Sequence, residues 1–228
     1  MTEPDVALTD YVLAAESLLL LALLRRRSSP DGPRFWLALY FGSVSVAALC
    51  GGTVHGFFLD EQSIGHLILW PATLIAAGAT ALAAWAIGAR ILLRERAAHR
   101  VIIAAVAQFL IYSMLLLWTQ DFRLAIVVNL PATLWLLAGF VVAYRRERHR
   151  SLLAAAASIA LILIAALLQQ IGVGVHPLYF SHNALYHVLQ GVALVLFFRG
   201  ARWITAAEKN NIPEPLAIPS GDHYVHTP

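Results

Sequence analysis

Apolar residues form seven long runs along the chain, separated by short segments that carry most of the charged residues. Each run is near or above the length that crosses about 30 Å of hydrocarbon as an α-helix. The pattern therefore predicts an all-α polytopic membrane protein with a seven-transmembrane-helix bundle. The predicted spans are residues 6–24, 35–58, 65–89, 101–118, 124–144, 152–173 and 184–198.

The first run does not have the pattern of a cleavable signal peptide. Acidic Glu3 and Asp5 stand where a signal peptide carries basic residues, and arginines 25–27 follow where small residues would be cleaved. We therefore expect the first span to remain in the protein.

Basic residues predict the orientation, because Lys and Arg near the ends of spans are retained in the cytoplasm. Every Lys and Arg except Arg123 lies after an odd-numbered span or before an even-numbered one. The N-terminus is thus expected outside and the C-terminus in the cytoplasm, in a multi-pass protein of a bacterial inner membrane. The basic loops account for the net charge of +3, so no nucleic-acid partner is expected.

Composition supports a membrane protein, since 60% of the residues are hydrophobic and only 13% are charged, unlike a soluble domain. We assign residues 1–203 to the transmembrane domain and residues 204–228, rich in Pro and polar residues, to a flexible cytoplasmic tail. The expected partner is membrane lipid, and no protein partner is indicated.

Two single residues exclude whole classes of site. Cys50 is the only cysteine, so neither an intrachain disulfide nor a cysteine-based metal cluster can form. Lys209 is the only lysine and follows the last span, so a retinal Schiff base inside the bundle is excluded.

Polar and ionisable residues gather at the predicted outer end of the spans, where they are costly and usually functional. Four histidines lie at this depth, and they are His55, His66, His182 and His187. Asn183, Glu16 and Asp121 lie in the same outer part, and Asp10 begins the first span. Taken singly, each is also compatible with a structural role at a solvated interface.

Helical geometry places Asn183, His187 and Gly191 on one face of the last span, because a helix turns by about 100° per residue. On the second span, small residues near His55 permit another helix to approach closely. Histidine nitrogens suit zinc, and three of them with an open position lower the pKa of a bound water to about 7. His55, His66, His182 and His187 are therefore candidate zinc ligands, with Asp121, Glu16 and Asn183 as candidate catalytic residues. Asp10, like Asp121 and Glu16, is a candidate base or a carboxylate that supports the metal site.

These residues resemble the CREST superfamily of seven-helix membrane hydrolases, which includes alkaline ceramidases and the progestin and adiponectin receptors. His55 matches a zinc ligand of the second span, and "NALYHVLQG" matches the seventh-span motif, with His187 as its second ligand. Asn183 replaces the first ligand of that motif, Gly51 replaces a serine and His66 replaces an aspartate. The resemblance implies a zinc-dependent hydrolase of a lipid or acyl amide.

Two other classes of function fit the same sequence. A non-catalytic receptor or accessory membrane subunit needs no metal. A haem-binding electron-transfer protein would use paired histidines from facing helices, which usually lie deeper in a bundle than these do.

Overall fold

The computed structural model of the protein describes residues 1–24, 32–176 and 179–210, with side chains described up to residue 206. It confirms the seven predicted helices, each long and apolar enough to cross a membrane. They are α1 (Pro4–Leu23), α2 (Pro33–Phe57), α3 (Ile64–Leu92), α4 (Glu95–Leu115), α5 (Phe122–Glu147), α6 (Arg150–Gln170) and α7 (His182–Asn210).

Local sequence explains several of the helix ends. Pro4 and Pro33 stand at the first position of α1 and α2, where a missing N–H costs no helical hydrogen bond. The Ser63 hydroxyl accepts from the His66 N–H at the start of α3. At the other end of the bundle, α7 continues to Asn210, past the predicted domain end at residue 203, and residues 211–228 of the predicted tail lie outside the described residues.

Six helices form a closed ring in the order α1, α2, α3, α5, α6 and α7, with α7 again in contact with α1. The fourth helix, α4, packs mainly on α3 from outside this ring. Aromatic rings fill the middle of the ring, where Phe197 of α7 contacts Phe41 of α2 and Phe140 of α5 at centroid distances of 5.5 and 5.7 Å. The core is therefore shared by helices that are distant in sequence.

Large apolar side chains cover the outside of every helix. Every helix has exposed side chains of this kind. One from each helix, in order from α1 to α7, is given by Leu18, Val46, Ile68, Ile111, Leu134, Ile164 and Val192. A soluble monomer rarely exposes so much contiguous apolar surface, so this surface is typical of a protein in contact with lipid.

The two ends of the bundle differ in charge. The histidine end, as we call it, carries His55, His66, His182 and His187 at the ends of α2, α3 and α7. The arginine end lies opposite and carries all the described arginines except Arg123. This separation matches the sequence pattern from which the orientation was predicted.

Glycines of α2 let α1 approach closely near the histidine end. A Cβ atom added to Gly52 would lie 2.7 Å from the Asp10 Cβ and 3.2 Å from the Ala7 carbonyl oxygen. Neither atom belongs to the flexible end of a side chain, so a side chain at position 52 would push the two helices apart.

Gly52→Ala is therefore expected to destabilise the protein by about 1–3 kcal/mol through overpacking. Thermal unfolding in detergent measures the effect. Gly42→Ala is the matched control on the same helix, because its nearest neighbour is the Leu21 Cδ2 at an ordinary 3.6 Å. Equal melting temperatures for the two variants would contradict the close packing of α1 on α2.

Candidate functional site

Asp10 of α1 and His187 of α7 form a buried pair near the histidine end. The His187 Nε2 lies 3.3 Å from the Asp10 Oδ1, and their side chains are only 13% and 6% exposed. Ionisable groups are costly at such a position unless they are paired, since the surrounding helices offer little solvation. Each residue thus provides the partner that the other needs.

The hydrogen bonds of Thr9 determine which ring nitrogen of His187 is protonated. The Thr9 hydroxyl donates to the carbonyl oxygens of Asp5 and Val6, at 2.8 and 3.0 Å. Its single hydrogen is then used, so the His187 Nδ1, at 3.2 Å, donates to the Thr9 oxygen. The remaining contact, between His187 Nε2 and Asp10 Oδ1, needs one proton that either atom can carry.

Glu16 lies deeper in the same interface between α1 and α7. Its Oε2 is 2.7 Å from the position that a Cβ of Gly191 would occupy. Its Oε1 is buried and has no hydrogen-bond partner among the described residues. Gly191 follows His187 by one helical turn, so Glu16 is a carboxyl group about one turn below the Asp10–His187 pair.

The segment before α1 is held against the end of α2. The Glu3 carboxylate lies 2.6 Å from the His55 Nδ1, and the Glu3 N–H donates to the His55 carbonyl oxygen. The Thr2 N–H donates likewise to the Gly56 carbonyl oxygen. His55 is therefore paired with an acidic residue, as His187 is.

An open cleft of about 770 Å³ lies above the pair, between the start of α1 and the connection from α6 to α7. Its lining includes Glu3, Asp5, Tyr179, His182 and Asn183. The Asp5 Oδ2 accepts from the Ser181 N–H at 2.9 Å and so joins the two walls. Since the Asp5 carbonyl accepts from Thr9, the cleft is linked by hydrogen bonds to the buried pair.

Asn183 lines this cleft. The Gln169 Nε2 donates to the Asn183 Oδ1 at 3.0 Å, which fixes the oxygen toward α6. The Asn183 Nδ2 makes no hydrogen bond to another described residue, so it is available to a carbonyl oxygen of a ligand.

His66 and Asp121 have local partners instead. The His66 Nδ1 lies 2.9 Å from the Phe58 carbonyl oxygen, and its ring is near Trp70. The Asp121 carboxylate accepts from the Arg123 N–H and begins α5. Both contacts are typical of residues that stabilise a loop or a helix end.

The four predicted zinc ligands are not brought together within the described part of the chain. No group of three or more His, Cys, Asp or Glu side chains there is placed to hold a metal ion. His55 pairs with Glu3, His187 with Asp10 and Thr9, and His66 with a backbone carbonyl. This arrangement of donors does not fit the zinc centre that the sequence led us to expect.

The sequence interpretation missed three participants in the site. It used Glu3 and Asp5 only as evidence against a signal peptide, and it did not consider Thr9. It named Asp10 as an acidic residue at the start of a span without pairing it with His187. An acidic residue inside an apolar run was the available signal, because such residues need a partner.

Comparison with known proteins identifies a family and no function. A family of unknown function, DUF6962, matches residues 6–206, which include α2 to α6 and all but the start of α1 and the end of α7. No curated protein and no solved structure matches the chain. The resemblance to the CREST superfamily thus has no support from these comparisons, and the protein belongs to the DUF6962 family.

Proposed function

We propose that this protein spans a bacterial inner membrane with its N-terminus outside and its C-terminus in the cytoplasm. The separation of the arginine end from the histidine end supports this orientation, because Arg and Lys remain on the cytoplasmic side during insertion. The cleft and the Asp10–His187 pair then face the outside.

Tags on the two termini test the orientation. In intact spheroplasts, added protease is expected to remove an N-terminal tag and to spare a C-terminal one. Lysed spheroplasts, in which both tags should be cleaved, are the control for accessibility. Protection of the N-terminal tag in intact spheroplasts would reverse the proposed orientation.

We propose further that the site hydrolyses a lipid or acyl amide, with the Asp10–His187 pair as its acid–base group. The observation that carries this proposal is a buried carboxyl–imidazole pair linked through Thr9 and Asp5 to an open cleft. A base oriented by a carboxylate is the arrangement on which acyl-transfer enzymes rely. An acyl chain can approach from the surrounding lipid, and a cleft of this volume accommodates a polar headgroup.

The reaction needs one proton transfer to the Asp10–His187 pair and one proton transfer from it. A water molecule in the cleft attacks the amide carbonyl carbon. Because Asp10 and His187 lie below the lining of the cleft, its proton passes to the Asp10–His187 pair through a second water molecule. The C–N bond then breaks, and the pair returns the proton to the departing amine. In this proposal the Asn183 Nδ2 donates a hydrogen bond to the carbonyl oxygen on which negative charge develops, while its Oδ1 accepts from Gln169.

The deeper carboxyl group of Glu16 is a second proton acceptor in this proposal. It lies about one turn below the pair, and its unpartnered oxygen is open to a proton. Asp121 has no part in the proposal, since it caps α5. The histidines that the resemblance assigns to zinc take other roles, because His55 and His187 each have an acidic partner.

Replacing Asp10 by Asn is expected to lower hydrolysis of an acyl amide by at least about 100-fold, as loss of general acid–base catalysis does. Release of a fluorescent amine from acyl-amide substrates of several chain lengths measures the rate in detergent. His66→Gln is the matched control, since His66 binds a loop carbonyl and its loss should leave the rate within about twofold of wild type.

Metal analysis of the same preparations separates this proposal from the zinc hydrolase. In our proposal a chelator leaves the rate unchanged. One zinc per chain, lost together with activity in both His55→Gln and His187→Gln, would favour the zinc centre of the CREST family and overturn the metal-independent mechanism. An intense visible absorption band would instead indicate the haem-binding alternative.

A receptor or accessory subunit without catalysis is the second candidate. Both ring nitrogens of His187 already have partners, which favours a structural role for the pair over proton transfer to a substrate. Ligand binding that Asp10→Asn weakens, in a protein that hydrolyses none of the substrates, would support this candidate.

A further inference from the structure

The cleft at the histidine end has one wall that carries acidic side chains. Glu3 and Asp5, at the start of α1, both line it, and no Lys or Arg is among its described lining residues. The arginine nearest in the fold, Arg123 of the histidine end, stands at the start of α5, which packs on α3 and α6. The charge of this wall therefore depends on how each carboxylate is partnered.

Asp5 is the carboxylate whose charge is left uncompensated. Glu3 contacts the His55 imidazole at 2.6 Å, so an ionisable base stands beside it. Asp5 accepts from the Ser181 N–H at 2.9 Å, which is a neutral donor, and it forms no ion pair with another described residue. A neutral donor orients a carboxylate without cancelling its charge, so Asp5 attracts a cation into the cleft.

An aromatic ring lies on the facing wall of the cleft. Tyr179, in the connection from α6 to α7, lines the cleft and is 72% exposed. Its ring contacts the His176 ring at a centroid distance of 4.8 Å, and its N–H donates to the His176 Nδ1 at 3.1 Å. These contacts hold Tyr179 beside the cleft. The face of an aromatic ring attracts cations, and ammonium groups are commonly bound in this way.

The depth of Asp5 relative to the acid–base pair suits a headgroup that bears a cation. Asp5 precedes Asp10 on α1 by a rise of about 7.5 Å. A cation at Asp5 is therefore nearer to the mouth of the cleft than an amide that reaches toward the Asp10–His187 pair. A short linker between the ammonium group and the amide of one molecule spans this difference in depth.

We propose that the cleft selects acyl amides whose headgroup carries an ammonium group. Asp5 binds the ammonium by a charge-assisted hydrogen bond, and the Tyr179 ring packs against the same cation. A neutral headgroup gains neither contact, and an anionic headgroup is repelled by Asp5. This inference rests on the proposed hydrolase and adds its class of substrate. Asp5 takes no part in the proton transfers and determines specificity.

Two amides of equal length test the selection, because they differ only in the charge of one terminal group. The mono-decanoyl amide of ethylenediamine ends in an ammonium group at neutral pH, and N-propyldecanamide ends in a methyl group at the same place. Titration calorimetry measures their binding to the protein in phosphatidylcholine nanodiscs, with the heat from empty nanodiscs subtracted. We expect the ammonium amide to bind about tenfold more tightly, the effect of a hydrogen bond to a charged group.

Variants of the two walls identify the cation contacts. Asp5→Asn keeps an oxygen that accepts from the Ser181 N–H and removes the charge. It should abolish the preference and leave the affinity for the neutral amide unchanged. Tyr179→Leu should weaken binding of the ammonium amide about threefold. Asp121→Asn is the matched control and should keep the preference, because Asp121 likewise accepts a backbone N–H, at the start of α5.

Equal affinities of the wild-type protein for the two amides would overturn the proposal, and so would a preference that Asp5→Asn retains. Mass spectrometry of the titrated samples reports hydrolysis separately from binding. Equal affinities with hydrolysis of both amides would contradict the selection and support the hydrolase. A preference for the ammonium amide that Asp5→Asn abolishes, without hydrolysis of either amide, would support the cation contact and contradict the hydrolase.

Discussion

The contact between Asp10 and His187 constrains how α1 and α7 pack in this bundle. A carboxyl group and an imidazole can be buried among apolar helices only if they meet each other, because neither finds adequate solvation there. Their meeting requires α1 to lie close to α7, while the Asp10 side chain packs on Gly52 of α2. Gly52 provides the space on α2, and Gly191 provides it on α7, where the carboxylate of Glu16 occupies the space beside the backbone. Stability and the candidate chemistry thus depend on the same helix–helix contacts.

The sequence was sufficient to predict the seven helices, because a long apolar run bounded by charge is a local property of the chain. The sequence also predicted how deep in the membrane each polar residue lies, because depth follows from counting residues along a helix of known rise. One cleft is indeed lined by Asn183 and His182. The acidic residues of α1 either line this cleft or lie just below it. The depth of these side chains was therefore predictable from spacing alone.

The partners of these side chains were not predictable in the same way. Partner choice depends on how each helix is rotated and which helices are neighbours, and neither follows from the spacing within one span. His55 and His66 lie at similar depth, yet one pairs with Glu3 before α1 and the other with a loop carbonyl. The placement of α4 outside the ring also depends on contacts between helices and does not follow from the spacing of residues within one span.

The central claim is that Asp10 and His187 act as one coupled pair, and a double-mutant cycle on unfolding free energy tests it most directly. Asp10→Leu and His187→Leu should each cost about 1–3 kcal/mol, because each strands a buried polar partner. The double variant removes both groups and should cost clearly less than the sum of the two. Additive costs, with no coupling between the two positions, would contradict the pair and the site built on it.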